Sequence, residues 1–127
     1  MAINKAQKIV VGFFVISALV IVGLYFLSLS SDNNLPEGIT LYYSFTCPHC
    51  KIVEDFMKNN SIESKINITQ KEVSLNQANA KELIAAGKVC KIQSDYIGAV
   101  PLLYNEGICY LGDVDIINFL KNEVGIK

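Results

Sequence analysis

Residues 39–50 read ITLYYSFTCPHC, and this short stretch decides the fold. The residues from 39 to 45 are mostly β-branched or aromatic, which is typical of a buried strand. The strand is expected to stop there, because Thr46 or Cys47 can cap a helix and Pro48 suits its first turn. The sequence therefore predicts a strand that leads directly into a helix, with Cys47 at the helix N-terminus.

Cys47, Pro48, His49 and Cys50 form a C-x-x-C motif, and its place between a strand and a helix is typical of disulfide chemistry. Unpaired N–H groups and the positive end of the helix dipole stabilise a thiolate on Cys47. Cys50 lies one turn further into the helix and can close onto it. We therefore predict that Cys47 attacks a substrate and that Cys50 resolves the mixed disulfide.

His49 lies between these two thiols, which gives it an electrostatic role. A protonated or donating imidazole adds to the stabilisation of the Cys47 thiolate in the reduced state. Stabilising the reduced state makes a cysteine pair a better oxidant. The alternative interpretation of His49 is a solvated helix residue without a function.

The remaining sequence predicts an α/β domain over residues 39–127 with the order β-α-β-α-β-β-α. The later strands are predicted at residues 66–73, 100–104 and 108–111. A three-residue hairpin loop is expected at 105–107, and Asn76 and Asp113 are the expected caps of the following helices. Parallel pairing is expected within the first strand–helix–strand unit. The residues expected on apolar helix faces are Ile52, Val53, Phe56, Met57, Leu83, Ile84, Val89, Ile116, Ile117, Phe119 and Leu120.

An uncharged apolar run covers residues 9–29, and as an α-helix it is about 31 Å long, enough to cross the hydrocarbon core of a bilayer. Lysines precede the run and acidic residues follow it, so the positive-inside rule places the segment 1–8 in the cytoplasm and the domain outside. A cleaved signal peptide is the alternative, but its apolar region usually spans about 7 to 15 residues. We expect an uncleaved, single-pass anchor in the cytoplasmic membrane, followed by a polar linker at 30–38.

Composition excludes other function classes for this chain of 127 residues, which is 51% hydrophobic and has a net charge of -1. All eleven basic residues are lysine, so the guanidinium groups that favour phosphate and base recognition are absent, and we expect no nucleic-acid partner. Cys90 and Cys109 form no second C-x-x-C, so we also expect no metal site. These two cysteines are either a second disulfide or two small packing residues.

The motifs taken together resemble the thioredoxin superfamily in its compact, glutaredoxin-like form, over essentially all of residues 39–127. The motifs are Cys47-Pro48-His49-Cys50, Ala99-Val100-Pro101 and Leu111-Gly112-Asp113. The resemblance implies that Pro101 is a cis proline that faces the active-site disulfide, and that Val100 offers main-chain hydrogen bonds to a substrate. The Pro-His dipeptide resembles that of periplasmic Dsb-type oxidases and of the thioredoxin-like domains that partner vitamin K epoxide reductase homologues.

Two departures from the family pattern bear on the direction of the reaction. Thr46 stands where thioredoxins usually have an aromatic residue, and the first strand lacks their buried acid. We therefore predict a membrane-anchored, extracytoplasmic thiol–disulfide oxidoreductase that works on the oxidising side, uses no cofactor and acts on protein thiols. A membrane redox partner would fit this topology. The alternatives are a glutaredoxin-like reductase and a redox-inert, membrane-tethered binding module.

Overall fold

The computed structural model describes residues 4–28 and 35–126, and the chain divides into two compact units, Met1–Asp32 and Asn33–Lys127. The first unit contains helix α1, Lys5–Ser28. Its segment Gln7–Tyr25 has a mean hydropathy of 2.4 and is not buried in the protein, so the helix is long and apolar enough to cross a membrane. The end of the predicted anchor and the first part of the predicted linker, residues 29–34, lie outside the described residues, as do residues 1–3 of the predicted cytoplasmic segment.

The second unit is a mixed α/β structure, and its strands and helices follow the predicted order. They are β1 (Ile39–Tyr43), α2 (Pro48–Asn59), β2 (Ile68–Glu72), α3 (Gln77–Val89), β3 (Leu102–Asn105), β4 (Ile108–Leu111) and α4 (Asp113–Val124). Short 3₁₀ turns lie at Ile62–Ser64 and Ser94–Tyr96.

The sheet has four strands in the order β2-β1-β3-β4. The predicted parallel pairing of β1 with β2 is confirmed, whereas β3 runs antiparallel to both β1 and β4. Near the end of β1, Tyr43 is opposite Glu72 of β2, and Tyr42 is opposite Leu102 at the start of β3. The turn after β1 therefore emerges between the end of β2 and the segment that precedes β3.

Two apolar clusters form the core, one on each face of the sheet. Leu41 of β1 packs in a cluster with residues of α2 and α4, while the next residue, Tyr42, packs in a cluster with Leu83 and Ala86 of α3. This alternation is the ordinary consequence of strand geometry. Strand β1 is thus buried on both sides, which fixes the position of the turn that carries Cys47.

The strand ends differ from the predicted ones where backbone groups form hydrogen bonds outside the sheet, or where a proline has no N–H. Strand β1 ends at Tyr43 because the Ser44 carbonyl accepts from Cys47 N–H at 3.2 Å and so closes a turn. Strand β2 begins at Ile68 instead of residue 66, because Ile66 N–H donates to the carbonyl oxygen of Ile62 at 3.0 Å. Strand β3 begins after Pro101, which has no N–H to donate.

The hairpin is also tighter than predicted. Asn105 pairs with Ile108, so the loop consists of Glu106 and Gly107 alone. Both have positive φ angles, 46° and 91°, as type I′ hairpin turns require.

Three residues that the sequence assigned to apolar helix faces are exposed in the structure; they are Ile52, Ile84 and Val89.

Candidate active site

Cys47 is the N-cap residue of α2, and Pro48 occupies the first turn, as the sequence predicts. The Cys47 Sγ accepts a hydrogen bond from Cys50 N–H at 3.4 Å. The first N–H groups of a helix have no partner within the helix, and here the sulfur supplies one. The sulfur therefore lies at the positive end of α2.

A second contact joins Cys47 to the segment before β3. The Cys47 thiol donates to the carbonyl oxygen of Val100 at 3.5 Å, and the Val100–Pro101 peptide bond is cis. The Pro101 carbonyl in turn accepts from Gly112 N–H at 2.9 Å, just before α4. The fold thus brings the C-x-x-C motif, Val100 and Pro101 together where β1 ends and β3 begins.

Cys50 has a different environment, although it lies only one turn away. It is 5% exposed, whereas Cys47 is partly exposed, and neither thiol is part of a disulfide. Burial raises the pKa of the Cys50 thiol to about 12, and its hydrogen bond with Cys47 adds to the rise. Since the thiolate is the nucleophile in disulfide exchange, the accessible Cys47 is better placed to meet a substrate first.

His49 is held by a residue that the sequence did not assign to the site. Its Nδ1 lies 2.9 Å from Oδ1 of Asp113, and the side chains of His49 and Asp113 are 67% and 20% exposed. The predicted capping role of Asp113 is wrong, because Gly112 is the N-cap of α4 and no side chain caps that helix end. Gly112 has a φ of 87°, a left-handed conformation that suits glycine, and Asp113 becomes the first helical residue.

A chain of polar side chains supports the turn before Cys47. The Ser44 hydroxyl lies 3.1 Å from that of Thr46 and 2.9 Å from that of Ser74. The Ser74 hydroxyl donates to the Glu72 carboxylate, which also accepts from Ser74 N–H and Leu75 N–H, both at 2.8 Å. These hydrogen bonds hold the pKa of Glu72 below its usual value, and the one from the Ser74 hydroxyl has the largest effect. The turn is therefore tied to the loop that follows β2.

This polar chain was missed by sequence reasoning, although a signal for it exists. Ser44 and Ser74 each follow a strand, and those two strands are parallel neighbours, so their ends must lie side by side. No comparable local signal indicates the contact between His49 and Asp113, which are 64 residues apart.

The sequence left two interpretations open for Cys90 and Cys109. In the structure they form a disulfide, with the two sulfurs 2.08 Å apart and the two Cα atoms 5.8 Å apart. Cys90 is the C-cap residue of α3, and Cys109 belongs to β4. Cys109 is opposite Tyr104, which pairs with Thr40 near the beginning of β1, whereas Cys47 follows the end of β1. The bond therefore joins α3 to the hairpin and is not part of the site around Cys47.

A small cleft of about 100 Å³ lies beside Cys50. It is lined by Leu41, Tyr43, Phe45, Cys50, Glu54 and Gln70. Phe45, at its rim, is 71% exposed. Within residues 4–28 and 35–126, no group of three or more His, Cys, Asp or Glu side chains could hold a metal ion.

No protein-family model matches the chain, and no curated protein matches it.

Proposed function

We propose that the protein is a membrane-anchored thiol–disulfide oxidoreductase with a thioredoxin-like domain. It exchanges disulfides with protein thiols through Cys47 and Cys50, and it works in the oxidising direction without a metal or organic cofactor. The observation that carries this proposal is the contrast between the two thiols: Cys47 is accessible at a helix N-terminus, and Cys50 is buried behind it with a raised pKa.

In the first step, a substrate thiolate attacks Sγ of Cys47 in the Cys47–Cys50 disulfide. The bond between the two protein sulfurs breaks, and Cys50 leaves with the electron pair and takes up a proton. Burial raises the pKa of the Cys50 thiol, so this thiol returns to the mixed disulfide slowly and a second substrate thiolate has time to react.

In the second step, another substrate thiolate attacks the substrate sulfur of the mixed disulfide. A substrate disulfide forms, and Cys47 leaves as a thiolate at the N-terminus of α2. The helix dipole and the Cys50 N–H stabilise the negative charge on that sulfur, which favours reduction of the protein and oxidation of the substrate. Two substrate thiols have then lost two electrons to the protein pair; one of their two protons is on Cys50, and the other goes to solvent.

The surroundings of Cys47 support a protein substrate. Val100 presents its carbonyl next to the sulfur, and the proline that follows it has no N–H of its own. An extended substrate segment can hydrogen-bond to that backbone as its own sulfur reaches Cys47. The exposed ring of Phe45 offers an apolar contact at the same edge.

Helix α1 supports a location for the reaction. If this helix crosses the cytoplasmic membrane with Lys5 and Lys8 inside, the domain faces an oxidising compartment. Continued oxidation of substrates requires that the protein pair be reoxidised, and we assign this task to a membrane-bound redox partner that accepts two electrons per cycle.

The proposal is tested with the full chain in its membrane. Maleimide labelling of the wild type should show a Cys47–Cys50 pair that cycles between two thiols and one disulfide in glutathione buffers. A Cys47→Ser variant is the matched control, because it keeps Cys50 but cannot close the disulfide. A wild-type pair that stays reduced under all buffer ratios would identify a redox-inert binding module instead.

Topology has a separate test. Protease added to intact spheroplasts should digest the domain, and the protein should stay in the membrane fraction. A protected domain would overturn the orientation, whereas release of the domain into the soluble fraction would indicate a cleaved signal.

A further inference from the structure

The contact between His49 and Asp113 caps neither of the two helices that carry these residues. Asp113 does not cap α4, and Asp115 supplies a second acidic side chain in the same first turn. At either position, a carboxylate interacts favourably with the dipole of α4. The feature that distinguishes Asp113 is its carboxylate oxygen 2.9 Å from His49 Nδ1.

This contact restricts the histidine chemically. An ionised carboxylate can only accept hydrogen bonds, so Nδ1 of His49 must carry a proton and donate it. The other ring nitrogen, Nε2, then carries a proton only in the imidazolium, which is the form that stabilises a thiolate. The hydrogen bond also limits rotation of a side chain that is otherwise two-thirds exposed.

The backbone places this contact where it can affect the reaction. Gly112 N–H donates to the Pro101 carbonyl, which fixes the beginning of α4 against the segment that contacts Cys47 through Val100. The residue after Gly112 then reaches His49. The hydrogen bond from Gly112 N–H to the Pro101 carbonyl therefore links the segment that contacts Cys47 to the residue that contacts His49.

We propose that Asp113 is a positioning residue: it holds His49 in one orientation, from which the positively charged ring stabilises the Cys47 thiolate and makes the Cys47–Cys50 pair a stronger oxidant. This inference rests on the function proposed above. Because His49 is largely exposed, solvent screens its contact, and the effect is limited to about two- to fivefold in the equilibrium constant for oxidising glutathione.

The first test is a redox titration of the full chain. The variants Asp113→Ala and Asp113→Asn should each lower the equilibrium constant about two- to fivefold, since Asn keeps the size of the side chain but loses the carboxylate. Asp115→Ala is the matched control, and it should leave the constant unchanged. In a His49→Ala background, Asp113→Ala should have no further effect, because the residue acts only through His49. An equal effect of Asp113→Ala in both backgrounds would overturn the inference.

The second test does not depend on activity. The chain contains one histidine, so ¹⁵N-labelled histidine gives one set of ring signals from the full chain in detergent micelles. At a pH where the ring is neutral, the wild type and Asp115→Ala should carry the proton on Nδ1, whereas Asp113→Ala should shift it towards Nε2. A wild-type ring with its proton on Nε2 would contradict the inference even if the cysteine pair cycles. Failure of the pair to cycle, with the expected ring signals, would instead reject only the proposed reaction.

Discussion

The thiol of Cys47 donates to the carbonyl oxygen of Val100 at 3.5 Å, although 53 residues separate the two along the chain. The contact exists because β1 and β3 are antiparallel neighbours, so the end of one strand lies beside the beginning of the other. On the proposed function, a substrate that pairs with the Val100 backbone would be brought to the Cys47 sulfur and not to Cys50.

This arrangement predicts which variant traps substrates. In Cys50→Ser, Cys47 can still form a mixed disulfide by attacking a substrate disulfide, but the second cysteine that would release the substrate is missing, so covalent complexes should accumulate. In Cys47→Ser they should be absent, because the remaining Cys50 is 5% exposed and has a raised pKa. Non-reducing gels of membranes from cells that express each variant measure the difference. Equal trapping by both would contradict the assignment of Cys47 as the nucleophile.

His49 should set part of the reduction potential. We expect the wild-type pair to be more oxidising than thioredoxin, which is at about -270 mV. Replacing His49 by Leu should lower the potential by roughly 30 mV, or tenfold in the equilibrium constant with glutathione. Lys58→Met, a substitution in the last turn of the same helix, is the control and should leave the potential unchanged. An unchanged potential in His49→Leu would show that the imidazole does not stabilise the reduced state.

The raised pKa of Cys50 predicts an alkaline loss of stability in the reduced protein. Its thiol ionises at about 12 in the folded state, against a usual value of 9.0. The unfolded state therefore releases the proton first, and the free energy of unfolding should fall as the pH rises from about 9 towards 12. Denaturant titrations of the reduced full chain in micelles, at a series of pH values, measure this fall.

The matched control for the alkaline effect is reduced Cys50→Ala, which should show a smaller fall over the same range. The remaining fall has a known source, because burial also raises the pKa of Tyr42, and that residue is present in both proteins. Identical pH profiles for the two proteins would contradict the role given to Cys50.

The bond between Cys90 and Cys109 should contribute to stability and not to exchange. It closes a loop with a sequence separation of 19, for which loop entropy predicts about 3 kcal/mol. The double variant Cys90→Ala/Cys109→Ala should lose roughly that amount in the free energy of unfolding of the otherwise oxidised protein. It should keep the redox equilibrium of Cys47 and Cys50, and a large shift in that equilibrium would place the second pair in the reaction.

The sequence predicted the junction that carries the chemistry because its signals are local. Proline in the first turn of α2 and the β-branched run before it determine the position of Cys47 without help from the rest of the fold. The cap of α3 is similar, since the Asn76 side chain accepts from the N–H groups of Ala78 and Asn79.

The partners of the site were harder to predict because they are distant in sequence. Asp113 reaches His49 only after Gly112 adopts a positive φ and binds the Pro101 carbonyl, and neither event is visible in a local pattern. Strand ends were misplaced for a related reason: at Ile66 the backbone bonds to a short turn and not to the sheet. Exposure of Ile52 likewise depends on where other elements leave α2 uncovered.

The two cysteine pairs also bear on how the chain matures. Cys50 precedes Cys90, so the segments that the two pairs enclose do not overlap, and neither bond has to thread past the other. If the domain is exported with its N-terminus first, Cys47 and Cys50 emerge before Cys90 and Cys109, and this order limits wrong pairings. On the proposed function, the first pair would then open and close repeatedly while the second stays intact.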